Sequence, residues 1–473
     1  MNQLLLLIVI LLFIQLSPTY SQSSPSTWAK SIGGELYDET SCIATDRQGN
    51  VFTAGNFQSI SVVAEQIRLT NTGKSGSDFF ISKYSSAGEL LWTKSFGGTL
   101  ADNLHSIAVD YIGNILVIGE FYSPKIMLGT IELINSGKSG SPEIFLAKLT
   151  TDGTILWAKS AKGNGFDEGR AITTDSIGNI ICTGWYQSPT LSFDKITLKN
   201  NGLRDVYVAK YSPLGEVMWA QGLGAESSES GSAIATDSAG NIVVAGDFRS
   251  PKLTIGIAIL PNSSKDNSDA FVAKLDAKGK FLWAKSMGGN LGDAATCLTI
   301  DHQGNVIVGG FFASSVLRFK SITFANQGNY DVFIVKYNPS GTFLWAKSYG
   351  GDELDNINSI SSDSEGNIYC FGGFGSHKIT FGDISLIGTQ AASYVHNDIY
   401  LAKYTSTGGV ELARKLGGGI FDDASGITLD FTNSICISGR FNSPFVEIDG
   451  NKVTTKGEHD GFVAKMLNQA PKK

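Results

Sequence analysis

Six of the seven tryptophans occupy one position of an internal repeat, at Trp28, Trp92, Trp157, Trp219, Trp283 and Trp345; Leu412 is the seventh member of the column and Trp185 lies outside it. Successive members are 64, 65, 62, 64, 62 and 67 residues apart. The surrounding motif reads TWAKSIGG, LWTKSFGG, LWAKSAKG, MWAQGLGA, LWAKSMGG, LWAKSYGG and ELARKLGGG. Self-similarity at a near-constant period means one supersecondary unit per repeat, each burying its apolar surface against its neighbours.

Four strand-like segments recur in every period. The first ends in I-x-x-D, at Ile43–Asp46, Ile107–Asp110, Ile172–Asp175, Ile234–Asp237, Leu298–Asp301, Ile360–Asp363 and Ile427–Asp430. It runs into a D-x-x-G-N turn, as in Asp110–Asn114, where glycine suits a left-handed position and aspartate caps the turn amides. The last period departs from this, with Asp430-Phe431-Thr432-Asn433-Ser434. The second segment ends in G-x-F-x-S, for example Gly119–Ser123, and is followed by an insert. The third is DVYVAKY and its relatives, closed by a turn at Gly88, Gly153, Gly215, Gly279, Gly341 and Gly408; the fourth is the tryptophan strand. Short apolar runs bounded by Gly, Asn and Asp are strands, and four per period make one propeller blade.

The expected fold is therefore all-β, a seven-bladed β-propeller of four-stranded antiparallel blades. The chain opens with a lone tryptophan strand at 27–32 and stops after a third strand at 460–466. The N-terminal strand must then complete the last blade, which closes the ring and removes the exposed end strands. An open β-solenoid is the alternative. The repeat G-N-I-x-x-x-G-x-F, D-x-F-V-A-K-Y, G-x-x-L-W-A-K-S-x-G-G resembles the SBBP seven-bladed β-propeller repeat of exported and surface-associated bacterial proteins, over essentially Thr27 to Lys465. The resemblance implies fold and export, and it brings no catalytic residues.

Net charge is −7, from 37 basic and 44 acidic residues, and no Lys/Arg-dense stretch tracks a phosphate backbone, so nucleic acid is excluded as a partner. No charge precedes Lys30, and Leu4–Leu16 is almost wholly apolar. That run falls short of the roughly 20 residues of a membrane span, and it reads as an export signal. The expected organisation is a signal peptide at 1–21, a short linker at 22–26, a single propeller domain at 27–467 and a tail at 468–473. The mature chain then has no transmembrane segment, acts as a monomer and is secreted, periplasmic or cell-envelope associated. Five cysteines without a CxxC pair read as small buried hydrophobes.

Columns alike in every repeat belong to the scaffold. Lys83, Lys148, Lys210, Lys274, Lys336, Lys403 and Lys465 recur without exception, and pairing with Asp78, Glu143, Asp205 or Asp269 accounts for them better than a cationic ring does. The aspartate after the Gly-Gly pair (Asp38, Asp102, Asp167, Asp293, Asp355, Asp422, with Ser228 or Glu229 in the remaining period) reads as a loop cap. Calcium would need six to eight oxygens at one point.

Strand direction places the D-x-x-G-N turns on a bottom face and the Gly-Gly loops and inserts on a top face. There, the residues preceding each recurrent aromatic are Asn56, Glu120, Trp185, Asp247, Phe311, Gly373 and Arg440, and two residues on come Gln58, Tyr122, Gln187, Arg249, Ala313, Gly375 and Asn442. This mixture of aromatic, acidic, basic and amide groups is a candidate pocket for a glycan, peptide or protein ligand; neutral drift would give the same list. No HExxH, G-x-S-x-G, Walker or kinase signature occurs, and the five histidines fall in unrelated parts of the repeat, so no catalytic, metal or cofactor site is assigned. The expectation is a binding scaffold. The alternative is an extracellular polysaccharide hydrolase or lyase with carboxylates converging at the top of the channel.

Overall fold

The computed structural model describes residues 27–73, 76–138, 140–389, 397–417, 419 and 421–468. The segments read as signal and linker, and the tail after Asn468, lie outside them. Seven antiparallel blades of four strands follow one another around a ring, each in the order A-B-C-D from the channel outward: blades 1 to 6 span Asp38–Phe96, Asp102–Ala161, Asp167–Leu223, Glu229–Met287, Asp293–Tyr349 and Ser359–Leu416, and blade 7 joins Asp422–Met466 to Trp28–Gly33. Blade 3 is typical, with A at Asp167–Thr174, B at Ile180–Tyr186, C at Asp205–Tyr211 and D at Val217–Leu223. All seven residues of B and of C are buried, because each sheet is covered on both faces by its neighbours. That is why these strands read as continuous apolar runs without alternation.

The ring closes as the repeat phase predicts. Trp28–Gly33 is the outer strand of blade 7, beside Asp460–Met466. Its register pairs Trp28 with Lys465 and Ala29 with Ala464, which reproduces Trp219 with Lys210 and Ala220 with Ala209 in a covalently continuous hairpin. Inside the seam, the buried Thr40 hydroxyl lies within donating distance of the carbonyls of Gly439 (2.6 Å) and Phe462 (2.8 Å), which share its one proton, and it accepts from Gly439 N.

The inserts differ from expectation. They leave the top face, but each folds into a two-stranded hairpin on the outside of the ring, as at Lys125–Leu128 and Ile131–Ile134. Ile126 and Leu128 are buried in the blade core while Met127 stays exposed. The hairpin of blade 1 extends the closing sheet directly, pairing Ile32 with Ala64. The inserts therefore form an outer girdle over the D strands.

The lysine column also has a different partner. Lys148, Lys210, Lys274, Lys336 and Lys465 pair with the turn aspartates Asp110, Asp175, Asp237, Asp301 and Asp430 at 2.7–3.0 Å, with the lysines and all but Asp237 of the aspartates buried. Asp78, Glu143, Asp205 and Asp269 open strand C, five residues before the lysine, which is about 17 Å away at the strand rise. They accept hydrogen bonds from the loop amides of Thr72, Ser136, Asn201 and Ser263 instead. Burial pushes Asp175 up, but hydrogen bonds from Asn179 and Lys210 outweigh it and hold the carboxyl below its ordinary value.

The same lysines reach across to the next blade. Lys210 Nζ donates to Ala277 O, in the C–D turn of blade 4, and Trp219 Nε1 donates to that same oxygen. The pattern repeats with Lys148 and Trp157 on Pro213 O, Lys274 and Trp283 on Pro339 O, Lys336 and Trp345 on Ser406 O, Lys83 and Trp92 on Thr151 O, and Lys465 and Trp28 on Ser86 O. The indole lies against the turn glycine. At Gly88, with φ +87°, a Cβ would fall 2.5 Å from Trp28 Cγ. Each tryptophan is thus a latch onto the following blade.

Leu412 is the exception because the C and D strands of blade 7, Asp460–Met466 and Trp28–Gly33, are not joined by a turn. With no carbonyl to grip, Lys403 pairs with Glu411 (2.8 Å). Trp219→Leu should lower stability by about 2 kcal/mol through lost packing and a lost hydrogen bond. Leu412→Trp should bring no gain. Thermal melts of both variants check this, and a stabilised Leu412→Trp would contradict the latch.

Candidate functional site

The top of the ring is built by the A and B strands together. Residue pairs across them are Glu39–Asn56, Asn103–Glu120, Glu168–Trp185, Ser230–Asp247, Ala294–Phe311 and Asp423–Arg440. Just below, a β-bulge interrupts six of the A strands, dropping Ser41, His105, Arg170, Ser232, Thr296 and Ser425 from the ladder. A bulge re-aims its extra side chain without breaking the sheet. The B-strand residues singled out from sequence are therefore half of a two-row surface, and the A-strand half was missed. Its signal was present: the residue after each capping aspartate varies as freely as the B-strand ring.

Over blades 2–4 these rows form one charged cluster. His105 Nε2 lies 2.6 Å from Glu120 Oε2, and Asn103 Nδ2 donates to Glu120 Oε1 at 3.1 Å. From blade 3, Arg170 Nε approaches Glu168 Oε2 at 2.8 Å, and the Arg204 guanidinium lies 4.6 Å above the Trp185 ring. Burial pushes Asp247 up to about 6, although the charges of Arg204, Arg249 and Arg170 pull it down. Burial likewise raises Glu168, against Arg170 and aided by Glu120. His105 is raised because the Glu120 carboxylate overcomes the cost of burying a charged imidazole. Tyr122 rises with burial and the same two glutamates. Glu120, Tyr122, Trp185, Asp247 and Arg249 thus belong to one electrostatic unit.

Arg440 belongs to a second cluster across the closure seam. Its guanidinium donates to Asp423 Oδ2 (2.8 Å from Nε) and Glu39 Oε2 (3.0 Å from Nη1) and lies 5.0 Å over Tyr37 and 6.0 Å over Phe421. Burial lifts Asp423 to about 6. This arginine is consumed in holding blades 7 and 1 together.

The remaining candidates are structural in their contacts. Asn56 Oδ1 accepts from Leu104 N (2.8 Å) and docks blade 1 on blade 2; Phe311 packs on Tyr330. The backbone N–H groups of Gln58 and Gln187 donate to Asp38 and Asp167 while both residues stay exposed, and Asn442 Oδ1 accepts from Phe421 N. Gly373 N donates to Asn356 Oδ1. The recurrent aspartates act as loop caps, for instance Asp102 with Ser123 (2.7 Å), and Glu229 fills the column in blade 4 through Ser250.

Sequence spacing assigned no metal site, yet one donor atom each of His105, Glu120 and Glu168 lies within 4.8 Å of the others. His377 pairs instead with Asp352 at the surface, and His459 packs on Tyr37. His396 lies outside the described residues. At the opposite face the A–B turns of blades 1–4 and 7 line an open depression of about 450 Å³, with Arg47, Tyr111 and Phe431 in its wall.

No family model matches the chain. It is 25% identical over 532 aligned positions to an uncharacterized WD repeat-containing protein of Acanthamoeba polyphaga mimivirus, covering 93% of this chain and 38% of that protein. It is 26% identical over 277 positions to the regulatory protein FlaEY of Caulobacter vibrioides, covering 56% of this chain and 29% of that protein. The chain therefore spans well under half the length of either relative. Among solved structures, the WD40 β-propeller domain of Doa1 aligns over 94% of this chain and 98% of its own, at 9% identity and a TM-score of 0.42. A protein of unknown function from Bacteroides caccae aligns over 82% and 94%, at 12% identity and a TM-score of 0.34. At these levels none of them assigns a ligand or an activity.

The carboxyls give the fold a distinctive pH response. Burial lifts Asp102, Asp205, Asp293, Asp331, Asp355, Asp247 and Asp423 to about 6 and Asp460 to about 7. Each then binds its proton more tightly folded than unfolded, so stability rises as pH falls through that window. The lysine-paired Asp110, Asp175, Asp237, Asp301 and Asp430 are lowered, and their contribution is lost only as pH falls below the unfolded value of 3.8. The melting temperature should climb from about pH 7.5 to about pH 5 and drop below about pH 4. A steady decline from neutral pH downward would refute the assignment.

Proposed function

We propose that this chain is an exported scaffold that binds a protein partner on its top face, over blades 2–4, through an acidic segment of that partner. One observation carries the reading: Arg170 and Arg249 are exposed on neighbouring blades, and with Arg204 they place three positive charges, from separate segments of blades 3 and 4, around the half-buried Asp247. Forked guanidinium donors favour planar carboxylates, and Arg204 is held in place beside them by stacking over the buried Trp185 ring. In the same reading residues 1–21 are a cleaved export signal, 22–26 a linker and 27–467 a single propeller of the SBBP repeat type. The mature monomer is then secreted, periplasmic or envelope associated. The apolar run Leu4–Leu16 ahead of the first charge at Lys30 supports export.

The alternative, a polysaccharide hydrolase or lyase, draws on the approach of Glu120 and Glu168. Both are engaged by cationic partners, His105 and Arg170, which favours binding over acid–base chemistry.

Peptide and glycan arrays probed with the wild-type chain and an Arg170→Ala/Arg249→Ala variant test the proposal. Acidic peptides should bind, with a signal that falls in salt and at least tenfold in the variant. Binding confined to glycans would replace the partner class, and equal binding by both proteins would remove this face from consideration.

A further inference from the structure

Beyond a peptide-binding surface, and independently of it, we propose that His105, Glu120 and Glu168 form a site for one first-row divalent cation such as Zn²⁺ or Mn²⁺, at the junction of blades 2 and 3. The three donors sit on sheet positions: His105 at the bulge of A in blade 2, Glu120 on the adjoining B strand, and Glu168 near the start of A in blade 3. Rigid strands hold such a constellation better than loops do.

Three observations point to a ligand. The Glu120 side chain is only 4% exposed, and its Oε2 is turned toward the other two donors. His105 Nε2, Glu120 Oε2 and Glu168 Oε2 are all buried and none makes a well-formed hydrogen bond, although His105 approaches Glu120 to 2.6 Å and Arg170 Nε approaches Glu168 Oε2 to 2.8 Å. Asn103 meanwhile fixes the other Glu120 oxygen, as outer partners of metal-binding carboxylates do.

Distances are compatible with coordination. At metal–ligand lengths of about 2.0–2.2 Å, two donors on one ion stand no more than about 4.4 Å apart. The 4.8 Å limit on this group therefore asks for only a small side-chain adjustment. One imidazole with two carboxylates suits zinc or manganese better than calcium, which takes oxygen donors alone. Arg170 balances part of the carboxylate charge.

Calorimetric titration of the chelator-stripped full chain with Zn²⁺ and Mn²⁺ alone decides the matter. The expected result is one saturable ion per chain with either metal, lost in His105→Ala and weakened at least tenfold in Glu168→Gln. His377→Ala, at a surface histidine, should bind like the wild type. No saturable binding, or binding retained by His105→Ala, would overturn the site; if His105→Ala does not fold, undiminished binding by Glu168→Gln would overturn it.

Discussion

A single carbonyl oxygen in each C–D turn, gripped by the lysine and tryptophan of the preceding blade, is the contact on which the repeat depends. It ties together three sequence columns that look unrelated. Lysine is needed because its stem crosses the buried sheet and its ammonium joins the turn aspartate of its own blade to the carbonyl of the next, as in Lys210, Asp175 and Ala277. Tryptophan is needed because its indole N–H reaches the same oxygen while its ring covers the turn. Glycine is needed because any side chain there would enter that ring. Losing either member of a buried ion pair costs about 3–5 kcal/mol, which accounts for the lysine in the five blades where it meets a turn aspartate.

The two faces of the ring have different freedom for that reason. Bottom turns are constrained by the latch and are nearly uniform. At the top, the bulged A strands and their B partners satisfy their backbones within the sheet, so their side chains are free to vary. The charged group around Glu120, Trp185 and Asp247 has grown there. Arg440 shows the limit of that freedom, since its charge is spent between Glu39 and Asp423 across the seam.

Much of the architecture was legible in the sequence. The tryptophan period gave the blade count, and the phase of the two ends gave the closure, because a lone D strand can complete only a blade that lacks one. The outer hairpins were not legible: Lys125–Leu128 is four residues of alternation, too short to separate from a loop until its apolar members are seen against the blade. The lysine partners were misassigned because proximity in sequence favoured Asp205 for Lys210, whereas the strand places them at opposite ends and the sheet brings Asp175 across. For the site, the B-strand residues were visible as a variable column. Their A-strand counterparts vary just as freely, but the bulge below them shifts His105 and Arg170 out of simple alternation and so conceals that the two strands share one surface.

Closure by the amino-terminal strand is the central claim, since the latch, the Leu412 exception and the top-face geometry all follow from a sealed ring. Amide hydrogen exchange measured on the segment Trp28–Gly33 tests it most directly. In a sealed ring its protection matches that of the covalently continuous outer strand Leu90–Phe96. Rapid exchange of the first segment beside a protected second one would contradict the account.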